Sequence, residues 1–117
     1  MAKREDFGHS FLAYFKRATS PLAVLRILSD RPMYGYELIQ ELKQRTGGKY
    51  QLSLLYPVLY RLEEQGYLTI SASEIVDGRA RNYYAVTAAG REYLRQTLAE
   101  YDEISGAFRQ LMEGWDG

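Results

Sequence analysis

The sequence predicts a mainly α-helical domain that carries one small β-hairpin and ends in a long helix. Three observations carry that prediction. Apolar residues recur at helical spacing from the N-terminus to Gln65, interrupted at Asp30-Arg31-Pro32 and at Gly47-Gly48. Two short alternating stretches then flank Asp77-Gly78, a pair that favours a two-residue hairpin turn. Beyond Thr87, a single 3.5-residue periodicity runs almost to the end of the chain.

Phe7, Phe11 and Phe15 recur every four residues, with Leu12 and Tyr14 beside them, which predicts an N-terminal helical extension over residues 1–19. Ser20-Pro21 reads as the start of a new helix, because Ser can cap and Pro in the first helical position loses no hydrogen bond. Leu22, Leu25, Ile27 and Leu28 give it a buried face up to Ser29. A next helix is predicted from Tyr34 to Arg45, with Leu38, Ile39 and Leu42 inward. Another follows from Ser53, its expected cap, to Gln65, with Gly66 stopping it and Pro57 near its first turn. Tyr67–Ile75 and Arg81–Thr87 alternate as strands, and Thr87 is placed to cap a last helix running from Ala88 to about Gly114. The expected organisation is an extension at 1–19, a compact domain at 20–87 and a long C-terminal helix at 88–117.

The 117 residues include no Cys and a single His, which excludes a disulfide framework, thiolate metal sites and paired-His zinc chemistry. Catalysis is not indicated. His9 has no partner in view, Gly47-Gly48-Lys49 lacks P-loop spacing, and the adjacent Glu63 and Glu64 point to different sides of a helix. No metal and no cofactor are expected. The charged start and the lack of any long apolar run predict a cytoplasmic chain without a membrane partner. Fifteen basic side chains balance 15 acidic ones, but unevenly. Residues 1–95 hold 14 basic and 10 acidic groups, and residues 96–117 hold one and five. The basic excess in the first region fits a polyanionic partner; the overall zero is a cancellation.

Three short helices followed by a hairpin form the order of a winged helix-turn-helix, with a plain α+β packing domain as the alternative. On the helix from Ser53, Leu55, Val58, Leu59 and Leu62 fall in one apolar stripe. The opposite side carries Ser53, Pro57, Tyr60 and Glu64, flanked by Tyr56 and Arg61, and its hydroxyls and guanidinium are donors suited to phosphates and base edges. The hairpin turn carries Gly78, Arg79, Arg81 and Asn82. Glycine permits close backbone approach, and arginines two apart share a face of the ribbon. Tyr84 alternates with Val86 and faces inward, so Tyr83 faces outward. Tyr34 and Tyr36, at the start of their helix, are placed to reach phosphates.

Four segments together resemble the PadR family of transcriptional regulators: Tyr34-Gly35-Tyr36-Glu37-Leu38, the run from Leu55 through Gly66, Gly78-Arg79-Ala80-Arg81-Asn82-Tyr83-Tyr84, and Thr87-Ala88-Ala89-Gly90. The resemblance spans about residues 20–95. It implies a dimeric winged helix-turn-helix repressor in which the helix from Ser53 enters the major groove and the loop at Gly78 is the wing. Asn82 stands where the family commonly has a basic residue, and Leu54 where it often has a small or hydroxylated one. The short C-terminal part resembles the subgroup with a single terminal helix. Gly35 and Gly90 are read as close-packing or helix-initiation positions.

On the last helix, Leu94, Leu98, Tyr101, Ser105, Phe108, Met112 and Trp115 step by four and three, with Ile104 and Leu111 beside the line. At 1.5 Å per residue such a helix is about 40 Å long, more than this small chain can cover, so a second copy is the expected partner. The expected dimerisation residues are Leu94, Leu98, Tyr101, Ile104, Phe108, Leu111 and Met112. An effector pocket for a planar aromatic or phenolic molecule is expected at Tyr101, Phe108, Met112 and Trp115. A twofold dimer suits an inverted-repeat operator in double-stranded DNA. Two rivals remain: a winged-helix protein-interaction module that never touches DNA, and a ligand-carrier dimer without regulation.

Overall fold

The computed structural model describes residues 10–117. Three helices, α1 (Phe11–Leu28), α2 (Gly35–Arg45) and α3 (Leu55–Glu64), precede an antiparallel hairpin, β1 (Leu68–Val76) and β2 (Arg79–Val86). A final helix, α4 (Ala88–Leu111), closes the chain. Phe7 and His9 lie outside the described residues.

Ser20-Pro21 is not a helix start, which corrects the sequence-based boundary. A single helix begins after Ser10, whose side chain accepts the Ala13 N–H at 3.1 Å, and runs on through Pro21. An interior proline costs about 3 kcal/mol, because it removes one N–H and crowds the preceding turn. Contacts on both sides of Pro21 offset that cost. Phe15 packs edge-on against Tyr101 of α4, and the Thr19 and Tyr50 hydroxyls share a 2.6 Å hydrogen bond. Val24, Leu25, Ile27 and Leu28 are buried in the core, each contributing about 1.5–3 kcal/mol.

The core sits where α1, α2 and α3 meet the base of the hairpin. Leu38 and Leu42 of α2 close on Leu55, Val58, Leu59 and Leu62 of α3, with Met33, Leu68 and Tyr84 beneath. Met33 and Tyr84 exchange two backbone hydrogen bonds, at 2.9 and 3.2 Å, an isolated bridge that ties the hairpin to the turn before α2. α3 starts one residue later than the sequence suggests. Its N-cap is Leu54, which makes no side-chain capping bond, so Ser53 is not the cap. Pro57 therefore falls within the first turn, where N–H groups have no intrahelical acceptor, and it removes nothing. Gly66, at φ +81°, ends the helix.

Asp77 and Gly78, at φ +52° and +77°, form the two-residue turn, and the strands extend to its edges, so Arg79 and Ala80 belong to β2. β1 contains one extra residue between Ile70 and Ala72. At the start of α4, the Thr87 hydroxyl accepts the Gly90 N–H at 3.0 Å and donates to the Gly66 carbonyl at 2.6 Å. A Cβ on Gly90 would overlap the Tyr67 carbonyl oxygen, and Tyr67 stacks on Tyr93 with ring centres 4.5 Å apart. Beyond this joint α4 runs along α1, where Tyr101 meets Phe15, and its last turns project from the body. The radius of gyration is 17.0 Å, against roughly 13 Å for a compact domain of this size. Met112 caps α4, so Trp115 lies past its end. No described helix is long and apolar enough to cross a membrane.

Candidate nucleic-acid interface

The amphipathic split of α3 is the one its sequence predicts. Leu55, Val58, Leu59 and Leu62 are buried, which turns Tyr56 (48% exposed), Tyr60 (58%) and Arg61 outward. Facing this side stands the hairpin. Between them runs a groove of about 660 Å³ lined by Tyr34, Tyr36, Tyr56, Tyr60, Arg79, Arg81 and Asn82. Seven residues chosen from three separate sequence segments thus share one concave surface. Gly78 sits beside it at the hairpin tip. Ser53 and Arg61 do not line this groove; they border a different cleft at the N-terminal end of α3.

Close packing fixes the geometry. Gly35 opens α2 directly against the Tyr56 hydroxyl, and a Cβ there would collide with it. The Tyr34 N–H is held by the Glu37 carboxylate at 3.3 Å, which sets the start of α2. Tyr56 and Tyr60 lean on each other with ring centres 5.9 Å apart.

The hairpin has its own network. The Arg81 guanidinium lies 4.1 Å from the centre of the Tyr34 ring and 3.5 Å from the Glu74 carboxylate. Tyr83 donates its hydroxyl to the same carboxylate at 2.9 Å and packs edge-on against Tyr34. The bond to Glu74, followed by desolvation, holds the Tyr83 phenol above its ordinary range. Tyr84 is buried in the core and Tyr83 lies on the opposite face, half-buried and engaged with Glu74 within the hairpin. Asn82 accepts a 2.7 Å hydrogen bond from Ser73 across the strands. Arg79 and Arg61 are exposed and have no carboxylate partner among the described residues, so both keep their full donor set.

Glu74 was not among the sequence-selected residues. Its signal is the turn: with Asp77-Gly78 as the two-residue loop, counting back pairs Val76 with Arg79 and Glu74 with Arg81.

On α4, the expected seam is open. Leu94 is half-buried against the core. Ile104, Phe108 and Leu111 are 67%, 61% and 72% exposed, and Leu98 and Met112 also face outward. Of the four expected effector residues, Tyr101 lines a cleft of about 450 Å³ between α1 and α4. Phe108, Met112 and Trp115 lie apart from it on exposed surface.

A three-helix body with its hairpin beside an exposed, donor-rich α3 defines a winged helix-turn-helix protein. The comparisons narrow the class. The profile of the PadR-like family of transcriptional regulators matches residues 24–96. Transcriptional regulator Rv3488 of Mycobacterium tuberculosis is 40% identical over 100 residues, covering 86% of this chain and 89% of that protein. A PadR family transcriptional regulator from Eggerthella lenta has a similar crystal structure, with a TM-score of 0.78 at 30% identity over 95% of this chain and 96% of that one. A transcriptional regulator from Clostridium thermocellum shares the fold, with a TM-score of 0.78 at 24% identity over 86% of this chain and 99% of that one. The chain belongs to the PadR-like family, whose members are transcriptional regulators and not enzymes.

Proposed function

We propose that this regulator is a homodimeric, sequence-specific repressor that acts on cytoplasmic DNA, binds an inverted-repeat operator and releases it when a planar aromatic or phenolic molecule binds. The observation that carries the DNA reading is the groove in which Tyr34, Tyr36, Tyr56, Tyr60, Arg79, Arg81 and Asn82 converge. α3 would enter the major groove with Tyr56, Tyr60 and Arg61, joined by Ser53 from the segment just before it. The wing would follow the backbone with Gly78, Arg79, Arg81, Asn82 and Tyr83, and Tyr34 and Tyr36 would reach phosphates.

Dimerisation is supported by the open apolar stripe of α4, whose exposure a second helix of the same kind would relieve. Tyr101, Phe108, Met112 and Trp115 would then line an aromatic space between the copies. Each copy would present its basic domain to DNA and carry its acidic helix end elsewhere.

Protection of an inverted repeat upstream of the coding region, repeated with Arg79→Ala and Arg81→Ala together, tests the reading. Losing two phosphate contacts lowers the salt slope of binding by about 2. Unchanged affinity and slope would favour a protein-interaction module. Quenching of Trp115 or tyrosine fluorescence by planar cationic drugs and phenolic acids tests the effector; a silent panel removes it.

A further inference from the structure

Two donors of the hairpin meet on one atom. The Tyr83 hydroxyl donates at 2.9 Å to Oε1 of Glu74, and the Arg81 guanidinium lies 3.5 Å from the same oxygen. Both donors are held from behind. The guanidinium covers the Tyr34 ring at 4.1 Å, and Tyr34 and Tyr83 pack edge-on with ring centres 5.4 Å apart. Tyr34 is itself anchored as the N-cap of α2, through its N–H bond to Glu37. Glu74 has no other hydrogen bond or ion pair among the described residues, and its side chain is 50% exposed against 32% for Arg81. The carboxylate is therefore the loose member of the cluster, and the two donors are the fixed ones. Donors that converge on one anionic oxygen suit a phosphate as well as a carboxylate, and Arg81 lines the groove between α3 and the hairpin.

We infer that Glu74 is an internal competitor for DNA: in the free chain its carboxylate occupies the place on Arg81 and Tyr83 that one phosphate oxygen takes in the complex. This rests on the DNA reading of the groove. Binding exchanges one anion for another at donors that stay put, and Glu74 swings into water. The exchange costs the same on every sequence, because a phosphate contact carries no sequence information. Glu74 thus weakens operator and unrelated DNA by one common factor. Complexes that have only backbone contacts to draw on are the first to fall below half occupancy, so the chain is less sequestered on competing sites. Two other roles for Glu74 lead elsewhere. If it only tied the wing down, removing it would weaken binding, since a loosened wing must be ordered on DNA. If it acted only through long-range charge, its effect would not need Arg81.

The test is a double-mutant cycle on the full chain, using the fragment upstream of its coding region and an unrelated duplex of equal length. Glu74→Gln tightens both by the same factor, about 3- to 10-fold, the scale of one freed surface cation. In an Arg81→Ala background the same change gains less than about twofold. Asp77→Asn is the charge control. It removes a turn carboxylate that has no ion pair among the described residues, and asparagine suits the φ of +52° there. Its gain is smaller than that of Glu74→Gln and survives Arg81→Ala. Weaker binding by Glu74→Gln overturns the inference, as does a gain that persists without Arg81, that is confined to one duplex, or that is no larger than the gain of Asp77→Asn. A parent chain that binds DNA but shows no coupling removes this inference alone. A parent chain that binds neither duplex removes the DNA reading and this inference with it.

Discussion

Replacing Gly90 with alanine separates two physical effects that oppose each other. In an unobstructed helix, glycine to alanine stabilises by about 1 kcal/mol, because glycine loses more backbone freedom on folding. At Gly90 the added methyl meets the Tyr67 carbonyl oxygen well inside contact distance and the Val86 side chain at 2.9 Å. Backbone cannot yield as a side-chain tip does. Relief requires α4 to lift, which strains the Thr87 bonds to the Gly66 and Tyr67 carbonyls, at 2.6 and 3.1 Å. Overpacking of this kind costs about 1–3 kcal/mol, and each lost hydrogen bond about 1 kcal/mol. The net expectation is a destabilisation of about 1–3 kcal/mol after the propensity gain is subtracted. Gly106 is the internal control: same helix, nothing within 4 Å of an added Cβ. Gly106→Ala should stabilise by about 0.5–1 kcal/mol. Urea unfolding at one fixed protomer concentration measures both, read as a midpoint shift with constant slope. A Gly90→Ala chain as stable as Gly106→Ala would refute the steric argument.

Other outcomes follow from the same geometry. Glu74→Gln removes the charge that holds Arg81 and the Tyr83 proton; absorbance titration should show a tyrosine ionising at lower pH than in the parent, and DNA affinity should rise by about 3- to 10-fold, the scale of one freed surface cation. The Tyr50 and Tyr84 phenols are raised above their ordinary 10.0 chiefly by burial, and Tyr83 chiefly by its Glu74 bond. A raised folded value favours the protonated fold, so their contribution is fully present below pH 10.0 and is lost as pH rises through the folded values; unfolding midpoints that stay level into that alkaline range would contradict it. Phe108→Glu on the open face of α4 should shift sedimentation toward monomer with little change in secondary structure, whereas an unchanged dimer would place the interface elsewhere.

The parts legible in the sequence are those set by local chemistry. The Asp77-Gly78 turn, the Thr87 cap and the buried stripe Leu55-Val58-Leu59-Leu62 each follow from a few neighbouring residues, and each is where it was expected. What was misread depends on distant contacts. Ser20-Pro21 has the local signature of a helix start. Only Tyr50, 31 residues on from Thr19, and Tyr101, 86 residues on from Phe15, reveal why α1 continues through it. β1 is similar. Leu68 and Ile70 face the core side, and strict alternation would send Glu74 there too. The extra residue after Ile70 reverses the count, so Glu74 lies across from Arg81. The donor groove was visible as residue types in three segments. Its closure against Tyr34, and the engagement of Tyr83 with Glu74, required the folded hairpin.

The joint where α3 ends and α4 begins is a short fulcrum. Gly66, the stop of α3, accepts the Thr87 hydroxyl that caps α4, and Gly90 leaves no soft side chain between α4 and the Tyr67 backbone. α4 extends from this point for 24 residues, about 36 Å. A lever of that length turns a tilt of about 5° at the joint into a displacement of about 3 Å at its far end. Phe15 of α1 rests on Tyr101 midway along this lever, so a tilt at the joint carries α1 with it as well as the tip of α4.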